Sequence, residues 1–223
     1  MSKSVKRALV TGAGRGLGWH LTQGLLARGW QVLACQRGPL EHGLAHPALT
    51  VLPLDQGSPD SICELARAAA EQPLDLLLIN AAVRGDTGGL PNFSARDFQE
   101  VMATNVAGPM LLVQSLIAQM PSSGKIAFIS SRAGSMSEGA DPDGDYSYCA
   151  SKAALNRLIV KLADDYPQIF LALHPGWLKT DMGGLGAELD PAVSADALLE
   201  LIELATSADS GTFRAWNGDR VRW

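Results

Sequence analysis

Cysteine is scarce in this chain: only Cys35, Cys63 and Cys149 occur among 223 residues. An odd number at wide spacing suggests neither a disulfide framework nor a metal knuckle, and all three are expected as small buried hydrophobes. Basic charge is lacking too. Eighteen Lys and Arg stand against 23 Asp and Glu, a net charge of −5, which leaves no footprint for a nucleic acid. Long apolar runs are missing: the longest, such as Leu76 to Ile79, fall well short of the roughly 18 residues that cross a bilayer, so no membrane span is expected. The start, MSKSVKRALVTG, carries two lysines and an arginine, but its apolar run breaks at Thr11-Gly12, too soon for a secretory segment. A cytoplasmic location is the expectation. No repeat, low-complexity tract or linker interrupts the chain, and 47% of its residues are hydrophobic, which suits one domain over residues 1–223.

What is present is an alternation of short β-type runs with longer helical patterns. The pattern predicts strands at 7–10, 31–35, 49–54, 74–80, 124–130, 169–174 and 212–216, and helices near 16–28, 59–71, 95–120, 146–166 and 194–206. Ser58 can cap the second helix, with Pro59 at its first position. Several strands are continuously apolar, as in a parallel sheet covered on both faces. The expected fold is a Rossmann-type, doubly wound α/β sheet of about seven strands, with ligands at the carboxyl ends of the strands.

After the first strand comes VTGAGRGLGWH, with glycines at 12, 14, 16 and 18. A glycine loop between strand and helix lets backbone N–H groups approach an anion. The common G-x-G-x-x-G spacing fails here, because it would need glycine at Leu17 or Trp19. The Walker pattern fails too. What fits is T-G-x-x-x-G-x-G, at Thr11, Gly12, Gly16 and Gly18, and with it the sequence resembles the short-chain dehydrogenase/reductase family.

Further motifs follow in that family's order. Asp55, next to Gln56 in LPLDQGS, resembles the aspartate that contacts adenine, although a turn or capping carboxylate reads equally well. Asn80-Ala81-Ala82 resembles the family's N-A-G with alanine for the final glycine, which leaves slightly less room beside the cofactor. Asn105 in MATNVAG matches the asparagine of the long fourth helix. In FISSRAG the family's serine is the one followed by x-x-G, which selects Ser131 over Ser130. Tyr148 and Lys152 in YSYCASKAAL stand four apart, on one face of a helix. Pro175-Gly176, Trp177 and Thr180 in HPGWLKTDMGG resemble the segment that holds the nicotinamide carboxamide. PGWLKTDMGG, the YSY before the lysine and the stretch FRAWNGDRVRW resemble the small carbonyl-reductase-like members grouped with sniffer and C-factor proteins.

The resemblance implies a catalytic set of Asn105, Ser131, Tyr148 and Lys152. Tyr148 is implied as the acid that protonates a carbonyl oxygen, or as the base in alcohol oxidation. Free tyrosine titrates near pH 10, and positive charge on Lys152 lowers that value. Lys152 would also bond the nicotinamide ribose, Ser131 would orient the substrate oxygen, and Asn105 would hold a water that relays a proton. Thr11, Gly12, Arg15, Gly16, Leu17 and Gly18 would hold the pyrophosphate end, with Arg37, Asp55, Gln56, Asn80, Ala81 and Ala82 along the rest of the cofactor.

The second strand ends QVLACQRG, with Gln36 and Arg37 and no acid to take a ribose diol. Together with Arg15, Arg37 favours the 2′-phosphate of NADP(H). The loop SEGADPDGDY carries Glu138, Asp141, Asp143 and Asp145, which reads either as a hydrated surface or as a field for a cationic substrate. The glycine-rich stretch from Asp181 to Asp190 reads as a mobile lid, and Trp177 as a pocket wall or a core residue. The expected activity is NADPH-dependent reduction of an aldehyde or ketone. Alternatives are alcohol oxidation, or a regulatory NADP-binding protein with little turnover. The expected partners are a small carbonyl or alcohol and, by resemblance, a second copy or more of the chain in a homodimer or homotetramer. No metal, nucleic acid or membrane is expected.

Overall fold

Seven short apolar segments lie side by side in one sheet: β1 (Arg7–Thr11), β2 (Gln31–Gln36), β3 (Leu49–Pro53), β4 (Leu76–Ile79), β5 (Lys125–Ile129), β6 (Ile169–His174) and β7 (Thr212–Ala215). Their order is β3-β2-β1-β4-β5-β6-β7, and every pairing is parallel. The computed structural model describes residues 5–38, 45–70, 72–138 and 145–223. Glu71, Asp141 and Asp143, named above, lie outside them.

β1 and β4 are buried along their full length, because helices cover both faces. One face packs Leu9, Leu33, Leu77 and Phe128 under Ile62 and Leu112. The other packs Val10, Val32 and Leu78 under Leu21, Leu25 and Leu198. Each such side chain, fully withdrawn from water, stabilises the fold by roughly 1.5–3 kcal/mol. The covering helices are α1 (Gly16–Ala27), α2 (Pro59–Ala69), α3 (Ala95–Met102), α4 (Gly108–Leu116), α5 (Tyr146–Asp165) and α6 (Pro191–Leu204). The order reverses beside β1, where β2 and β4 flank it on opposite sides. That is the switch point at which doubly wound sheets bind ligands.

Two helices depart from expectation. The single helix predicted over 95–120 is broken into α3, a π turn at Ala103–Ala107, α4 and a terminal 3-10 turn. The cause is in the sequence. Pro109 stands four residues after Asn105, where an α-helix needs the N–H that bonds the Asn105 carbonyl, and proline has none. The stretch Ala95–Gln119 is long and apolar enough by composition to cross a membrane. Here Val101, Leu112, Val113 and Leu116 are packed into the interior. The other departure is α6, which begins at Pro191 rather than near Ser194. The Asp190 carboxylate caps it by accepting from Ala192 N at 2.8 Å, with proline at the first position, a start signal present in the sequence but not used.

Candidate active site

The glycine loop leaves β1 and crosses the end of β4 at close quarters. Gly12 and Gly16 have φ of +66° and +51°, a region that L side chains rarely adopt. A Cβ at Gly12 would lie 2.9 Å from Ala81 Cα, and one at Gly18 would overlap Gly12 O and Asn80 Nδ2. No side chain caps α1, so its first N–H groups face the loop, the arrangement that receives an anion. At the outer edge a Cβ on Gly14 would overlap Gln36 Oε1. That oxygen is buried without a hydrogen-bond partner among the described residues. The cradle therefore fits the phosphates of a dinucleotide.

The two arginines assigned to a 2′-phosphate are placed differently. Arg37 is exposed beyond β2, with no ion pair among the described residues. Arg15 pairs with Asp181 across the loop, both side chains exposed. Arg37 thus lies exposed just after β2, while Arg15 ties the glycine loop to the segment after β6.

Behind the cradle is a layer of polar clamps, and some of the expected cofactor contacts belong to it. Thr11 is 0% exposed, and its Oγ1 accepts from Asn80 N at 3.1 Å and Ala81 N at 3.0 Å. Gln56 is buried, its Nε2 donating to Ala81 O and Thr104 O, both at 2.8 Å. These two side chains fix the Asn80–Ala82 wall. Asn80 Nδ2 donates to Thr11 O and Gly12 O. Asp55 takes its turn-forming role, its Oδ1 accepting from Gly57 N at 3.0 Å. Leu17 is buried in the first turn of α1.

Asn105 lies in the π turn, 1% exposed. Its Oδ1 accepts from Val83 N at 2.9 Å, and its Nδ2 donates to Val83 O at 2.8 Å and Ser151 Oγ at 3.1 Å. Ser151 in turn donates to Tyr148 O at 2.7 Å. The amide is spent on positioning: it fixes the backbone after β4 and, through Ser151, the turn of α5 that carries Tyr148. Sequence reading found Asn105 but not Ser151.

At the end of β5 the two serines part. Ser130 is buried and bonded to Asn156 Oδ1 at 2.5 Å, whereas Ser131 is half-buried, its Oγ accepting from Ala133 N at 3.1 Å. The Ser131 hydroxyl keeps its proton to donate. Asn156 also donates to Gly134 O at 3.2 Å, so it joins the serine loop to α5. A Cβ on Gly134 would lie 2.6 Å from the Lys152 carbonyl carbon, which explains the glycine of S-x-x-G. Tyr148 and Lys152 share a face of α5, with Lys152 Nζ 5.5 Å from the centre of the Tyr148 ring. Lys152 is 3% exposed, donates to Ile129 O at 2.8 Å, and is lowered to about 8 by burial.

Beyond β6, Pro175 O accepts from Ser194 Oγ at 2.7 Å. Gly176 turns with φ +87° against Leu189 and Trp216. A bridge between Leu178 and Leu189 closes the base of the lid. Thr180 Oγ1 accepts from Gly183 N at 3.3 Å, and its methyl would lie 3.2 Å from a Cβ on Gly16. Lid and glycine loop therefore face each other. Trp177 is not a core residue: it is 59% exposed and donates from Nε1 to Gly183 O at 2.8 Å, bracing the lid.

Two carboxylates of the acidic stretch, Glu138 and Asp145, are paired. Glu138 pairs with Arg222 at 3.2 Å and Arg132 at 3.7 Å, and the Arg222 backbone N–H holds its carboxyl below the usual range. Asp145 is buried against Arg84. Attraction of a cationic substrate thus loses two of its four carboxylates. Among the cysteines, Cys35 is buried and burial pushes its thiol up, but Cys63 is exposed and Cys149 half-buried, contrary to the expectation for all three.

With this geometry in view, the relatives fall into one group. Residues 6–188 match the family model described as short chain dehydrogenase. The C-signal of Myxococcus xanthus is 33% identical over 156 residues, covering 68% of this chain and 93% of that protein. The crystal structure of NADPH-bound carbonyl reductase from chicken fatty liver superposes with a TM-score of 0.91 at 33% identity, over 98% of this chain and 94% of that one. Carbonyl reductase Sniffer of D. melanogaster does so at 0.90 and 26%, over 98% and 100%. The chain belongs to the short-chain dehydrogenase/reductase family, and within it to the carbonyl-reductase-like members. Proteins of this family are oxidoreductases that act on small molecules with a nicotinamide cofactor.

Proposed function

We propose that this protein is an NADPH-dependent carbonyl reductase in which Tyr148 protonates the oxygen of an aldehyde or ketone. The observation that supports this reading is the pairing of Tyr148 with a buried Lys152 on one face of α5, in a chain whose glycine loop after β1 leaves no room for side chains at Gly12 and Gly18. Bound there, the nicotinamide would supply the hydride to the carbonyl carbon. The loop from Gly12 to Gly18 and the start of α1 would hold its pyrophosphate, Arg37 the 2′-phosphate, Ala81 and Ala82 one wall, and Pro175 to Thr180 the nicotinamide end. The NADPH of the chicken enzyme supports the choice of cofactor.

The chain's own groups divide the remaining work. Ser131 donates to the substrate oxygen and orients it toward Tyr148. Tyr148 gives up its phenolic proton as that oxygen becomes anionic. The Lys152 ammonium nearby favours the phenolate left behind. Asn105, its side chain committed to Val83 and Ser151, holds the site's frame. Its backbone carbonyl, which lacks the i+4 donor because Pro109 has no N–H, is the group to receive a water for proton resupply. The Arg pairs of Glu138 and Asp145, with Met182, Leu185 and Trp177 exposed on the lid side, favour a neutral, apolar carbonyl over a cation.

The test is NADPH consumption with a panel of neutral aldehydes and ketones, repeated with NADH and with the corresponding alcohols plus NADP. Turnover of neutral carbonyls with NADPH supports the reading. Binding of NADPH without turnover of any carbonyl or alcohol would instead favour a regulatory protein. An intact Ser131, Tyr148 and Lys152 set argues against that alternative, since binding alone needs no acid.

A further inference from the structure

Arg84 follows Val83, the residue gripped by both side-chain atoms of Asn105. Its guanidinium joins two elements distant in sequence. Nε pairs with the Asp145 carboxylate, which is 1% exposed, and a terminal nitrogen donates to Met182 O at 3.2 Å. Asp145 begins α5: its carbonyl accepts from Cys149 N at 2.9 Å, and Tyr148 lies three residues on. Met182 belongs to the lid. The preceding lid residue, Asp181, is held by Arg15 from the glycine loop. Two consecutive lid residues are thus tethered from two separate loops, those that follow the neighbouring strands β1 and β4.

We propose that Arg84 is a positioning residue that couples the lid to the start of the catalytic helix, so that closure over the substrate and placement of Tyr148 are set together. Each contact has its physical reason. A carboxylate as buried as Asp145 stays ionised only beside a positive partner. A planar guanidinium can serve that carboxylate and a second acceptor at once, because its donors diverge in one plane, whereas an ammonium is a compact point charge on a flexible stem. The backbone carbonyl of Met182 makes the lid contact independent of the Met182 side chain, so the tether fixes the course of the lid rather than one rotamer. Asn105 holds the backbone that presents Arg84, which connects the π turn to the same device.

The structural part of this inference is independent of the reaction; the kinetic part rests on the carbonyl-reductase reading. The protein is compared with Arg84→Lys and Arg84→Gln, each with saturating NADPH, by hydrogen exchange over residues 180–187, over 145–152 and over α6 as a reference. Arg84→Lys keeps a charge for Asp145 and gives up the second bond. It is expected to speed lid exchange about tenfold and leave the start of α5 as in the parent. Arg84→Gln is expected to speed both segments, with α6 unchanged. With 4-nitrobenzaldehyde as probe, Arg84→Lys should raise KM about tenfold, kcat falling by less than KM rises. Lid exchange equal to the parent in both variants would overturn the proposal, as would a loss confined to kcat in Arg84→Lys. If the parent does not reduce the probe, the reaction reading fails, and the exchange rates still decide the role of Arg84.

Discussion

At Lys152 a side chain that ordinarily seeks water is almost wholly enclosed, and the enclosure lowers its pKa to about 8 from 10.5. The sign follows from linkage. Below about pH 8 the lysine is charged in both states, and the fold carries the full penalty of burying that charge. Between about 8 and 10.5 the folded protein has released the proton while the unfolded chain keeps it, so this residue's contribution to stability rises with pH. On the proposed carbonyl-reductase reading its catalytic contribution moves the other way, because the Lys152 ammonium is the group that favours the phenolate. The reductive kcat should therefore decline above about pH 8 while the melting temperature does not fall with it, measured by stopped-flow rates and calorimetry on one buffer series. His174, at the end of β6, behaves differently. Burial and the nearby Arg132 lower it to about 4 from 6.5, so its neutral form stabilises the fold above the unfolded value. That stability is lost as pH falls from about 6.5 through 4. His174→Gln should flatten the acid limb of a Tm-against-pH curve; an unchanged limb would assign the acid sensitivity elsewhere.

At the scale of elements, the break between α3 and α4 connects sequence to chemistry most directly. Asn105 with Pro109 four residues later opens the helical ladder, and the π turn that results sends the Asn105 amide to Val83. Asn105→Ala leaves two backbone groups of Val83 without these partners, which costs roughly 1–3 kcal/mol for each group that stays buried. The expected result is a lower Tm together with a lower kcat; a lower Tm with full kcat would separate the π turn from the site. At α6, Asp190→Ala removes the cap and should cost about 1 kcal/mol without touching turnover. Both features were written in the chain. Reading 95–120 as one helix followed its apolar pattern and overlooked the missing proline N–H, and starting α6 near Ser194 overlooked Asp190-Pro191.

At the scale of the molecule, the sheet was legible because its strands are continuous apolar runs set between helical patterns, and the parallel order follows from that alternation. Ser131, Tyr148, Lys152 and the glycines were singled out by resemblance to the family's motifs, and helical spacing adds only that Tyr148 and Lys152 share a face of α5. What spacing could not convey is which side chains meet across the fold. Arg84 and Asp145 are 61 residues apart, and Arg15 and Asp181 are 166 apart. Neither pair has a local signature, so the partners of Arg15 and Asp145 could not be read from the sequence. The inward bonds of the Thr11 and Gln56 side chains likewise have no signature in their motifs. The whole-molecule prediction concerns Arg37, which has no ion pair among the described residues. Arg37→Asp should weaken NADPH binding at least tenfold more than NADH binding, by fluorescence titration, and equal losses would remove it from phosphate recognition.

The central claim is that Tyr148 delivers a proton to a substrate oxygen in a site already formed around it. Its most direct measurement is the single-turnover rate of Tyr148→Phe at saturating NADPH with a carbonyl that the parent reduces, with the Kd for NADPH measured on the same preparation. The account predicts a rate lower by about 10²- to 10⁴-fold, the span of general acid catalysis, with Kd within twofold of the parent. A rate equal to the parent's at unchanged Kd would contradict it.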